Sequence, residues 1–178
     1  MEKNITLVIG GCRSGKSQYA LNNASAVKGQ KKFYIATCVP GDEEMEKRVA
    51  RHQKERKDIW HTIEAPIHLD RAILDCLKNA DVILVDCLTL WAANLLLEKK
   101  DDKKMYDAVS ALKQSLCLAP CPVYLVSGEV GMGIVPENKP ARQFRDFLGF
   151  LNQQMADVAD EVIAIIAGMD IRLKPRKG

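Results

Sequence analysis

Five short apolar runs punctuate the chain, at Ile5–Ile9, Phe33–Thr37, Val82–Val85, Val123–Ser127 and Val162–Ala167. Their apolar residues are consecutive rather than alternating, which is the pattern of strands buried on both faces. Longer segments with helical character separate them. Ser17–Val27 reads as a helix, and His68–Lys78 carries apolar positions at helical spacing. Between these, Trp60–Pro66 is an extended stretch stopped by its proline. Short strand alternating with longer helix predicts an α/β chain in three layers: a mostly parallel central sheet with helices on both faces. With 178 residues and 47% hydrophobic content, the chain can bury one substantial core and is too short for two ordinary domains, so residues 1–178 are expected to form a single domain.

The first apolar run leads straight into Gly10-Gly11-Cys12-Arg13-Ser14-Gly15-Lys16-Ser17, a complete GxxxxGK[ST] phosphate-binding loop. The spacing suits polyphosphate because the backbone must curl until successive N–H groups point inward, and glycines permit both the curl and the close approach. Lys16 can reach the β and γ oxygens, and the Ser17 hydroxyl can hold Mg²⁺ at the start of the next helix. Chance would produce this pattern in a chain of this length on the order of once in a hundred sequences or less. The strand–loop–helix context makes a nucleotide-binding loop the better reading.

Charge and cysteine usage narrow the class. The net charge is +3 with both signs spread along the chain, so no basic stripe marks nucleic acid as the main partner, and the Lys174-Pro175-Arg176-Lys177 tail reads as a solvated terminus. The six cysteines form no CxxC pair and read as reduced thiols of a cytoplasmic protein. No apolar run approaches the ~20 residues needed to span a bilayer.

Three further stretches could carry chemistry. Gly41–Lys57 is long and charged, with Asp42 placed to cap it and Arg48, His52 and Arg56 on one helical face. Two readings fit it: a solvated surface helix, or a stripe of cations around one imidazole leaning over the phosphates. Val82–Asp86 is an apolar strand ending in a carboxylate, the form of a Walker B element whose acid would reach Mg²⁺ across from Ser17. Gly128–Pro136 places three glycines after the fourth apolar run, with Arg142, Arg145 and Asp146 opening a helix close behind, and favours a substrate or phosphate loop.

Together these blocks resemble the bifunctional adenosylcobinamide kinase / adenosylcobinamide-phosphate guanylyltransferase family of cobalamin assembly. The resemblance rests on the phosphate loop, Tyr34-Ile35-Ala36-Thr37, Asp42-x-Glu44-Met45-x-x-Arg48-x-x-x-His52 and Trp60-x-Thr62-x-Glu64. It continues in Glu129-Val130-Gly131-x-Gly133-x-Val135-Pro136 and in Arg142-x-Phe144-Arg145-Asp146-x-x-Gly149-x-x-Asn152-Gln153. Gly128 stands where the family usually has Asn, and Cys12 where it usually has Ala.

The resemblance implies a RecA-like P-loop NTPase fold, a homotrimer, and two reactions. One phosphorylates adenosylcobinamide with ATP or GTP. The other transfers GMP from GTP to adenosylcobinamide phosphate through a guanylylated histidine at His52, giving adenosylcobinamide-GDP and pyrophosphate. It makes His52 and Lys16 the catalytic pair. Carried over by position, Ala36, Thr37, Cys38, Gln53, Lys54, Glu55, Arg56, Glu64 and Asp86 join Gly10, Gly11, Cys12, Arg13, Ser14, Gly15, Lys16 and Ser17 around the nucleotide, with Ser17 and Asp86 at the Mg²⁺. The alternatives are a single-function small-molecule kinase in which His52 is a bystander, and a non-catalytic nucleotide switch or RecA-like nucleic-acid ATPase, the nucleic-acid form opposed by the near-neutral charge.

Overall fold

A computed structural model describes residues 4–39, 59–98 and 102–175. In chain order the strands are β1 (Ile5–Gly10), β2 (Lys32–Ala36), β3 (Trp60–Glu64), β4 (Val82–Asp86), β5 (Val123–Gly128), β6 (Glu161–Ile166) and β7 (Met169–Lys174). The helices are α1 (Lys16–Ala26), α2 (Leu69–Cys76), α3 (Leu88–Glu98), α4 (Asp102–Cys117) and α5 (Lys139–Val158). All five apolar runs are strands, and the extended Trp60 stretch is a sixth. The seventh was not anticipated: β7 is exposed along most of its length and lacks the apolar signature.

The strands form one sheet in the order β3-β2-β4-β5-β1-β6-β7. Every pairing is parallel except β6 with β7. The carboxyl ends of β1 to β6 therefore share one edge, and β5 separates the phosphate-loop strand from the strand ending in Asp86. Alternation within the buried strands splits the core into two layers. Leu7, Ile83 and Val85 face the layer filled by Leu69 and Ile73 of α2, Trp91 and Leu95 of α3, Leu112 of α4 and Leu151 of α5. Val8, Val82 and Leu84 face Ala20, Leu21 and Ala24 of α1. Burying most side chains on both faces of these strands explains why they read as apolar runs.

Two lysines close helix ends that lack a basic residue in their last turn. Lys32 is nearly buried, and its Nζ donates to the carbonyls of Ser25 (2.5 Å) and Val27 (2.6 Å) at the end of α1. Lys174 of β7 donates to Ala156 (2.9 Å), Asp157 (3.3 Å) and Ala159 (2.5 Å) at the end of α5. At the other end of α5, Asn138 Oδ1 accepts from the Ala141 N–H at 2.8 Å, so the helix starts before Arg142 rather than at it.

Candidate active site

The phosphate loop crosses from β1 to α1 in the curled form its glycines allow. Gly15 has φ 101° and Arg13 φ 53°. The second is a left-handed conformation that costs an L side chain roughly 1–2 kcal/mol. At Gly10 a Cβ would lie 2.5 Å from the Ile165 carbonyl oxygen and 2.6 Å from Ser14 Oγ, so no other residue fits. The hairpin turn between β6 and β7, Ala167 (φ 53°) and Gly168 (φ 81°), backs the loop from outside. Its Gly168 N–H donates to the Ser14 carbonyl at 2.9 Å. The unanticipated strand thus helps to shape the loop.

The mouth of this loop suits an anion. No side chain caps α1, whose N-cap is Gly15, and no residue of its first turn is acidic. Its leading N–H groups and a partial charge of roughly +0.5 therefore face the loop without competition. Lys16 Nζ donates to the Gly11 carbonyl at 3.0 Å, which holds the ammonium over the loop.

Asp86 is brought against this loop although β5 lies between the two strands. Ser17 Oγ donates to Asp86 Oδ1 at 3.3 Å, and Tyr34 Oη to Asp86 Oδ2 at 3.0 Å, so each carboxylate oxygen is held. Ser17 and Asp86 present hard oxygen donors, and the described residues contain no group of three or more His, Cys, Asp or Glu able to hold a metal. Tyr34, buried on β2, was legible only as part of a family block; its orienting role comes from strand order. The next residue, Cys87, is joined to Asp86 by a cis peptide bond. Burial, reinforced by the charge of Asp86, pushes its thiol up to about 11, against smaller opposite effects from hydrogen bonds with Leu90 and Thr89 and from Lys16. It is a neutral thiol, not a nucleophile.

Thr37 is fully buried, and its hydroxyl is engaged twice: it donates to the Cys87 carbonyl at 2.6 Å and accepts from the Cys87 N–H at 2.9 Å. The Thr37 carbonyl in turn accepts from Asn94 Nδ2 at 2.8 Å. Thr37 therefore fixes the turn after Asp86. Ala36 pairs in register with both Glu64 and Asp86, which lines the exposed Glu64 carboxylate up with the loop's edge of the sheet. Cys38 is half-buried just beyond β2 and Cys12 is exposed in the loop. His52, Gln53, Lys54, Glu55 and Arg56 lie outside the described residues.

Gly128, at the end of β5, pairs with Gly10. Its N–H donates to Thr89 Oγ1 at 2.6 Å, and its carbonyl accepts from Asn152 Nδ2 at 3.0 Å. A Cβ here would stand 2.9 Å from Thr89 Oγ1, so a larger residue would have to displace that hydroxyl. Thr89 and Asn152 were not singled out as site residues from sequence because their partners are backbone atoms distant along the chain.

The sequence profile described as cobinamide kinase / cobinamide phosphate guanyltransferase matches residues 6–173. The bifunctional adenosylcobalamin biosynthesis protein CobU of Escherichia coli K12 is 40% identical over 183 residues, covering 94% of this chain and 98% of that protein. The protein of the same name from Salmonella typhimurium LT2 is 41% identical over 180 residues, with the same coverage. The bifunctional adenosylcobalamin biosynthesis protein CobP of Pseudomonas aeruginosa is 39% identical over 169 residues, covering 94% and 96%. Among solved structures, a KaiC-like protein from Pyrococcus horikoshii superposes with a TM-score of 0.53 at 16% identity, covering 92% of this chain and 71% of that one. The flagellar accessory protein FlaH from Methanocaldococcus jannaschii gives 0.54 at 13%, covering 98% and 80%. At these identities the likeness shows the fold alone, and that fold is RecA-like.

Proposed function

The chain belongs to the cobinamide kinase / cobinamide phosphate guanyltransferase family, and on that premise we propose that it performs both reactions at one phosphate-loop site. In the kinase step the aminopropanol hydroxyl of adenosylcobinamide attacks the γ-phosphorus of ATP or GTP, the γ-phosphorus–oxygen bond breaks, and the nucleoside diphosphate leaves. In the guanylyl step a neutral imidazole nitrogen of His52 attacks the α-phosphorus of GTP. A P–N bond forms, the bond to the β-phosphate oxygen breaks, and pyrophosphate departs. A phosphate oxygen of adenosylcobinamide phosphate then displaces the imidazole, giving adenosylcobinamide-GDP and free His52.

The observation that carries this reading is the Ser17–Asp86 contact of 3.3 Å beneath a glycine loop whose helix N-terminus is uncapped. Both residues offer oxygen donors that fit Mg²⁺, and a bound ion would supply charge neutralisation at the β and γ phosphates. Lys16 exchanges its Gly11 carbonyl for phosphate oxygens and offsets the charge that gathers on the leaving group. The family resemblance over residues 6–173 supports a place for His52 and Gln53–Arg56 beside the nucleotide. Ala36, Thr37, Cys38 and Glu64 complete the nucleotide surroundings on that edge.

Six free cysteines support a reducing, cytoplasmic location. No helix among the described residues is long and apolar enough to cross a membrane. One face of β7 exposes Met169, Ile171 and Leu173, which supports assembly with further copies; that the assembly is a homotrimer rests on the family resemblance.

Incubation with Mg²⁺ and GTP labelled at the α-phosphate tests the covalent route. The protein should retain α-label and not γ-label, and the adduct should be lost in acid and survive alkali, as a phosphoramidate does. His52→Ala should lose the adduct and guanylyl transfer. If a folded, GTP-binding protein never takes up α-label, or His52→Ala takes it up equally, the single-function kinase becomes the reading.

A further inference from the structure

We propose that the loop between β5 and α5 is the platform for the corrin ring of the substrate, and that Glu129 and Arg145 are positioning residues that hold it in shape. The inference rests on the cobinamide transferase reading. The loop starts beside the phosphate loop, since the Glu129 N–H donates to the Gly10 carbonyl at 3.0 Å. Its middle is held from both sides of one residue. The Gly131 N–H donates to Glu129 Oε1, and the Gly131 carbonyl accepts from Arg145 Nη2, each at 2.5 Å. Its end is held by Arg142, whose Nη1 donates to the carbonyls of Pro136 (3.1 Å) and Glu137 (2.5 Å).

Between these ties the chain presents Met132 and Ile134, 91% and 96% exposed, with Val135 exposed beside them. A solvated loop tip ordinarily carries polar residues. A loop fastened at its start, middle and end that offers large apolar side chains to water instead has the composition of a surface for an apolar ligand. The corrin ring is such a ligand: a broad macrocycle with apolar faces and a rim of amides. Arg145 Nη1 is buried and has no hydrogen-bond partner among the described residues, a donor that a rim amide carbonyl satisfies when the side chain turns toward the ring. A ring seated here keeps its aminopropanol arm on the sheet edge that carries Gly10 and Gly11.

The test uses the full chain and adenosylcobinamide, with binding followed in the dark by equilibrium dialysis and corrin absorbance. Met132→Ser/Ile134→Ser should raise both the Kd and the KM for adenosylcobinamide roughly tenfold or more, with the KM for GTP unmoved. Glu129→Ala should shift the same KM in the same direction, and Glu129→Gln, which keeps an acceptor for the Gly131 N–H, should restore most of the loss. Unchanged cobinamide affinity in the folded double variant overturns the platform. So does a changed sedimentation mass with intact affinity, which would assign the loop to a contact between copies. Glu129→Gln as impaired as Glu129→Ala overturns the positioning role. A parent protein that binds no cobinamide refutes the transferase reading itself, and the platform with it; a parent that binds while the variants match it refutes the platform alone.

Discussion

Tyr34→Phe isolates the atom that aims Asp86. The phenol donates to Asp86 Oδ2 at 3.0 Å, whereas the ring packs edge-on against Trp60 with centroids 6.4 Å apart. Phenylalanine keeps the packing and removes the donor. A hydrogen bond to a charged acceptor contributes about 1.5–3 kcal/mol. Asp86 is only half-buried, so water can replace part of it. We therefore expect about 1.4 kcal/mol of lost orientation, which is a tenfold rise in the Mg²⁺ concentration giving half-maximal turnover, within the range of outer-shell effects on metal sites. Two measurements check it: a Mg²⁺ titration of GTP turnover, and the Mg²⁺ dependence of the thermal shift produced by GTP, which needs no catalysis. The melting temperature without ligand should move by only a few degrees, because the core contact survives. If both Mg²⁺ curves overlay those of the parent, Tyr34 does not orient a metal ligand and its hydrogen bond is only structural.

The fold was legible where burial is complete. Strands with both faces against the core are mostly apolar, with few buried polar positions such as Thr6, Lys32 and Ser127, so β1, β2, β4, β5 and β6 announce themselves as apolar runs. β7 escaped because it is no consecutive apolar run: Met169, Ile171 and Leu173 alternate with Asp170, Arg172 and Lys174, and the strand is exposed along most of its length. The phosphate loop was legible because its chemistry is local, nearly every functional atom coming from one run of the chain. Asp86 was half legible. A carboxylate ending an apolar strand is a common pattern, and only the sheet order shows that crossing β5 brings it to Ser17 at 3.3 Å. Tyr34, Thr89 and Asn152 act through partners dozens of residues away, so local periodicity does not mark their roles.

Three further outcomes follow from the geometry. Lys16→Ala should abolish nucleotide-dependent turnover and leave the melting temperature nearly unchanged, because among the described residues its ammonium bonds only the Gly11 carbonyl; unchanged turnover in the folded variant refutes the site. At pH 8, iodoacetamide should label the exposed Cys12 and Cys117 first, whereas Cys76 and Cys87, both pushed up to about 11, hold on the order of a thousandth of their thiols ionised. Early labelling of Cys87 by mass spectrometry would contradict its assignment as an inert thiol. The last outcome concerns Thr37, which the family resemblance places at the nucleotide and whose hydroxyl is spent on the Cys87 backbone. Thr37→Val keeps the shape and leaves the part-buried Cys87 N–H without its acceptor, whereas the Cys87 carbonyl keeps the Trp91 N–H at 3.2 Å, so chemical denaturation should show a loss of about 1–2 kcal/mol. Thr37→Ser restores both bonds and should recover most of that stability. A merely nucleotide-contacting hydroxyl would do the opposite, raising the KM for GTP in Thr37→Val without lowering the denaturation midpoint, and that result would refute the structural role.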